Sequence, residues 1–208
     1  MERVAWSGTI VSVQPRIRFT RSFDERGHSY LGYSLRIAGM VGGEPREFSV
    51  GVGKAAHEKH KFQVGDQVRG ESLPVADERL EDVELYRTTR IAVVGRFAGE
   101  SASPPPWHGV PPSLDEYRAR GDRRLAAQTY AQRCRTCIWG CCMPVVIIVD
   151  HWRPEQKRYR FETFCYGPKS CRLYAAGPTR KVPGRRGMTW EEPDWLYEQA
   201  TAHRGPDE

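Results

Sequence analysis

Apolar and polar residues alternate along the first half of the chain with the two-residue period of half-buried strands. Residues 5–19 are rich in β-branched and aromatic types, and Arg16, Ile17, Arg18 and Phe19 put alternate side chains in a core and in water. A polar loop at 23–27 leads to a second strand over 29–40, with Tyr33, Leu35 and Ile37 on one face. Residues 41–45 read as a hairpin connection and 46–52 as a third strand. Residues 54–61 carry helix formers and no β-branched side chain, which predicts a short helix. A fourth strand is expected over 65–75 and a fifth over 86–94.

The pattern breaks at 99–112, where five prolines disfavour helix and central strand alike and predict an extended, stiff spacer. Ser113-Leu-Asp-Glu116 has the form of a capping box, so a helix is expected from there to about residue 132, weakened at Gly121-Asp122. Strands follow over 143–151 and 158–165 around a turn at 153–157. Residues 174–187 are rich in Gly and Pro and read as extended and exposed. A short amphipathic helix over 189–203 closes the chain, anchored by Trp195, Leu196 and Trp190. The expected organisation is therefore 1–98, a spacer at 99–112, and 113–208.

The chemistry concentrates in the second half. All six cysteines lie between Cys134 and Cys171. Cys134 and Cys137 form a Cys-x-x-Cys turn, able to aim two sulfurs and nearby amides at one cation. Cys165 and Cys171 form a second pair across the hairpin, separated by five residues, with Gly167-Pro168 offering a tight return. Zn2+ suits four thiolates because it accepts a closed tetrahedral site and needs no redox partner. This knuckle–hairpin–pair layout resembles a zinc ribbon, from which it departs in the wider second spacing. An iron–sulfur cluster is the rival, with Cys141 and Cys142 as the additional ligands, although the spacing misses the ferredoxin run.

The order of five strands, with a helix between the third and fourth, resembles the oligonucleotide/oligosaccharide-binding (OB) fold. The fold class expected is mainly β with some α: a five-stranded OB-like barrel, then a helix and a metal-stabilised, zinc-ribbon-like hairpin. The resemblance implies a ligand face across strands two and three, with Arg18, Arg21, Phe23, Tyr30, Tyr33 and Arg36 as nucleic-acid contacts. The aromatics would stack on bases and the arginines would offset phosphate charge. Residues 77–84 oppose this with five acids against one Arg.

Net charge is +6, with 15 Lys/Arg against 14 Asp/Glu in residues 1–100 and 17 against 12 in 101–208. The excess favours an anionic partner. Arg180, Lys181, Arg185 and Arg186 form two basic pairs suited to phosphate, bracketed by Tyr174 and Trp190. The longest apolar run, 145–149, is far too short to span a bilayer, and no secretory segment is visible, so a cytoplasmic protein with reduced thiols is expected. His57 and His60 are three apart rather than the four of a metalloprotease helix, and no catalytic constellation emerges. The expectation is a non-catalytic protein that binds RNA or single-stranded DNA and carries a structural zinc. The alternatives are an iron–sulfur redox or accessory subunit, and a scaffold whose barrel and Trp-rich tail dock on a protein partner.

Overall fold

The computed structural model describes residues 2–97, 99 and 104–208, so part of the expected spacer, 100–103, lies outside the described residues. The chain is mainly β. Strands β1 (Val4–Arg21), β2 (Arg26–Val41), β3 (Glu44–Val52), β4 (Gln67–Pro74) and β5 (Leu85–Gly95) appear where the alternation predicts them, with helix α1 (Lys54–His60) between β3 and β4. Their pairings return on themselves: β1 to β2, β2 to β3, β3 to β5, β5 to β4, and β4 back to β1. Only β3 and β5 run parallel in this ring, meeting at Val50 and Leu85.

The length of β1 makes that closure possible. Its first residues pair with β4 and nearly its whole length pairs with β2, with a register shift between Ile10 and Ser12 where the strand turns. Gly8 and Gly39 lie directly opposite each other. A Cβ at Gly39 would stand 2.1 Å from the Ser7 carbonyl oxygen, so any side chain there would push the two strands apart.

The end of β1 leaves the ring and pairs in parallel with β7 (Gly140–Ile148), Phe19 opposite Val145. Strand β7 pairs with β8 (Lys157–Cys165), and β8 with the two-residue β6 (Arg123–Arg124). The two expected halves thus share one eight-stranded hydrogen-bonded sheet. They also share a core: Ile17, Phe19 and Leu35 belong to the same buried cluster as Met143, Val145, Phe164 and Tyr166. Each fully buried side chain of this kind is worth ~1.5–3 kcal/mol. The described part of the spacer is docked, because Tyr33 Oη donates to the Pro112 carbonyl at 2.7 Å and the buried His57 ring lies 3.2 Å from that of Pro111.

Three expectations in the second half are corrected. The helix begun at Ser113, whose Oγ accepts from the Glu116 amide, ends after one short element, α2 (Leu114–Arg120). Gly121 stops it at φ +70°, packed so closely on Ala200 that a Cβ would lie 2.3 Å from the Ala200 carbonyl oxygen. The chain then joins the sheet as β6 before turning helical again in α3 (Ala127–Thr129) and a wider turn, Tyr130–Cys134. The tail is not simply extended and exposed: β9 (Lys181–Pro183) pairs with β10 (Thr189–Glu191), and Val182 is fully buried. The last helix, α4 (Trp195–Thr201), starts later than expected and is held by Tyr197 and Thr201, while Trp195 is exposed.

Buried charges fasten this tail to the sheet. Arg21, wholly buried, reaches Glu162 on β8 at 3.2 Å and Glu192 in the tail at 3.1 Å. Arg180 adds a 2.6 Å contact to Glu162, and Arg26 approaches Glu192 at 3.4 Å.

Candidate functional site

Cys134 closes the wide turn after α3, and the Cys137 amide bonds back to the Cys134 carbonyl at 3.1 Å. The Gly140 amide bonds to the Cys137 carbonyl at 3.0 Å, which delivers the chain into β7. Gly140 stands opposite Cys165 at the end of β8. From there the segment around Gly167-Pro168 folds tightly, with the Cys171 amide on the Pro168 carbonyl at 3.2 Å. Arg123 pins that turn by donating to the carbonyls of Gly167 and Pro168 at 3.1 and 2.8 Å. This is how a five-residue spacing still returns Cys171 to the other three cysteines.

All four line one small enclosed cavity of about 10 Å³, together with Trp107, Trp139 and Tyr174. That space is close to the least that holds one water-sized occupant. The sulfurs receive polar support from both halves of the site. The Gly167 amide donates to Cys165 Sγ at 3.3 Å, and the amides of Trp139 and Trp107 serve Cys137. In each pair the residue two places after a cysteine donates to its sulfur, a placement that favours thiolate. Arg123 Nη2 lies 3.9 Å from Cys165 Sγ and adds positive charge.

Burial works against ionisation. It pushes the Cys134 thiol up to about 12 and Cys137 to about 11, and raises Cys165. The neighbouring cysteines raise Cys134 further. Mutual repulsion among thiolates is what a bound cation relieves. Among the described residues, no three Cys, His, Asp or Glu side chains already stand as a metal-holding group. The shared cavity identifies the neighbours, and coordination would require the sulfurs to draw inward. None of the six cysteines is in a disulfide.

Cys141 and Cys142 are not brought to this cavity. Cys141 is fully buried in the main core with its thiol on the Pro15 carbonyl, 3.3 Å away, and Cys142 faces a separate cavity on the sheet.

The nucleic-acid candidates divide sharply. Arg18 is clamped by Glu81 at 2.7 Å, and Arg36 reaches Glu47 at 3.0 Å. Arg21 and Tyr33 are buried, and Tyr30 is half-buried under the Arg118 guanidinium. Arg180 is taken up by Glu162, while Lys181 is exposed but 3.6 Å from Glu191. Phe23, Arg185 and Arg186 remain at the surface, and Phe23 and Arg185 both reach the turn after β7. The Phe23 ring meets His151 edge-on at 6.3 Å, and Arg185 contacts Asp150 at 3.4 Å. Trp152, 82% exposed, projects from the same β7–β8 turn, where Arg153 and, at the start of β8, Lys157 and Arg158 have no ion-pair partners among the described residues.

Several functional neighbours escaped the sequence reading. Gln14 donates to the carbonyls of Cys134 and Cys137 at 2.9 and 2.8 Å from a strand more than a hundred residues away. Nothing local marks a lone Gln for that task. Trp152 was legible in principle, as an aromatic set directly before a Pro-containing turn. No helix among the described residues is long and apolar enough to cross a membrane. No family model, curated protein or solved structure matches the chain.

Proposed function

We propose that the chain is a non-catalytic nucleic-acid-binding protein of the cytoplasm, built from an OB-like barrel and a zinc-ribbon-like module that share one sheet. The five-strand ring with α1 between β3 and β4 supports the barrel. The cysteines of the two pairs around one cavity support a structural Zn2+ held by Cys134, Cys137, Cys165 and Cys171. An iron–sulfur cluster fits less well, since the cavity has room for little more than one atom and Cys141 and Cys142 lie elsewhere.

The observation that carries the binding reading is the corner where Phe23 meets His151 and Arg185 meets Asp150, which sets the exposed Trp152 and Arg186 next in the chain to those contacts. Exposed rings offer stacking faces for unpaired bases, and the flanking unpaired cations offer phosphate contacts. This interface lies on the loops at one end of the barrel rather than on the strand face, whose arginines are spent on Glu81 and Glu47.

Anisotropy of a labelled single-stranded oligonucleotide, titrated at several salt concentrations, tests it. Affinity should fall steeply with salt, and charge reversal of Arg185 and Arg186 together should flatten the log–log slope by about 2. Binding indifferent to both would leave the corner as a protein-docking surface, the scaffold alternative. Elemental analysis decides the metal separately: one zinc per chain supports the closed site, and iron with visible absorbance supports the cluster.

A further inference from the structure

A cavity of about 800 Å³ opens against the outer face of β1–β3, beneath the acidic loop that joins β4 to β5. Its size falls within the ~300–1,000 Å³ usual for small-molecule sites. It shares no residue with the aromatic and basic corner or with the four-cysteine cavity. We propose that it binds a small organic cation, an ammonium or guanidinium carried on an apolar body, with Asp82 as the anionic partner.

The charges of the lining support that choice. Glu81 is occupied by Arg16 and Arg18, at 2.9 and 2.7 Å, and Glu84 by Arg46 at 2.6 Å. The wall cation Arg36 pairs with Glu47 at 3.0 Å, although its charge still reaches Asp82. Asp82 alone combines depth with isolation: it has no ion pair among the described residues, and its Oδ1 is sealed from solvent without a hydrogen-bond partner. An unpartnered buried carboxylate oxygen costs stability, and a cation held in the cavity that Asp82 lines would offset the carboxylate's charge. Val83, Leu85 and Phe161 line the same cavity and suit a carbon skeleton.

The floor is held in place from the other side. Tyr130 Oη donates to Gln14 Oε1 at 2.6 Å, while Gln14 Nε2 holds the carbonyls of Cys134 and Cys137. Gln14 therefore has both ends committed, and among the lining acids without an ion pair in the described residues, Glu44 and Glu78 are exposed whereas Asp82 is drawn into the wall. The charged and titratable groups near Asp82 are Arg16, Arg36 and Glu81 from the barrel, Tyr130 and Cys142 from the other wall, and Cys141 from the core behind it. Burial raises its carboxyl to about 7, so a cation binds best where that group has lost its proton.

The test is calorimetric titration of the full chain with phenethylamine and agmatine, and with 3-phenylpropionate as the matched anion. Both amines should bind and the anion should not. Amine affinity should rise by up to about tenfold between about pH 6 and pH 8, where the carboxyl ionises. Asp82→Asn, nearly isosteric, should weaken the amines about tenfold or more and remove the pH dependence. Phe161→Ala, at a half-exposed strand position, should weaken phenethylamine more than agmatine. The assignment is overturned if wild type and Asp82→Asn bind the amines equally, if the anion binds as well as they do, or if no saturable binding occurs by about 10 mM.

Discussion

Two polar regions lie within this one fold, and they are completed in opposite ways. Where the tail meets the sheet, Arg21, Arg26 and Arg180 converge on the buried carboxylates of Glu162 and Glu192. Positive and negative groups arrive from within the chain, so that region carries its own neutralisation. At the four-cysteine cavity the convergent groups are all of one kind, with Arg123 beside Cys165 and no carboxylate among the lining residues. The lesson is that clustering alone does not reveal purpose. A mixed cluster fastens segments together, whereas a uniform one calls for an ion from outside.

The largest expected effect breaks that contrast at the thiol end. Chelation, or Cys171→Ser, should release one zinc per chain and cost several kcal/mol, since structural zinc contributes ~10–16 kcal/mol in small domains that depend on it. Cys142→Ser should leave metal content unchanged, because that side chain faces a different cavity. Equal metal loss from both variants, measured by elemental analysis, would undo the division of the cysteines into four and two.

Next in size, Glu162→Ala should destabilise the chain by ~3–5 kcal/mol, since it strands buried guanidinium groups. Denaturant melts report the loss, and zinc content should not change. A chelator should likewise leave the Arg–Glu region protected in hydrogen exchange. Loss of zinc in Glu162→Ala would show that the two regions depend on each other.

A smaller effect involves Asp82. Its carboxyl is raised to about 7 in the fold by burial, so the native state holds that proton more tightly than the unfolded chain does. Its stabilising contribution is complete below about pH 4 and is lost as pH rises through about 7. Asp82→Asn should therefore gain stability near pH 8, by at most ~4 kcal/mol, and nothing near pH 4. Thermal melts at the two pH values check the sign.

The smallest effect on stability is expected at Trp152. Its replacement by Ala should change stability by less than ~0.5 kcal/mol, because the ring is almost wholly exposed. The same change should weaken oligonucleotide binding by ~1–3 kcal/mol if a base stacks there.

The first half of the fold was legible because strand alternation is local. Ile17, Phe19, Tyr33, Leu35 and Ile37 are buried on the faces that the pattern assigned to them. The second half was less so. The helix after Ser113 was read through Gly121, yet the close approach of Ala200 stops it there, and that contact lies nearly eighty residues away. Arg21 and Tyr33 look like ligand contacts in a list of residues. Only the arrival of Glu162, Glu192 and Pro112 turns them into internal partners.

The sequence by itself determined the strand order, the short helix α1 and the two cysteine pairs, because periodicity, helix propensity and spacing act over a few residues. The tertiary structure decided that the end of β1 pairs with β7, so the halves share one sheet and one core. It also decided which charges are spent and which are free. Whether an arginine meets a carboxylate or water depends on partners scores of residues distant, and no local pattern records that distance.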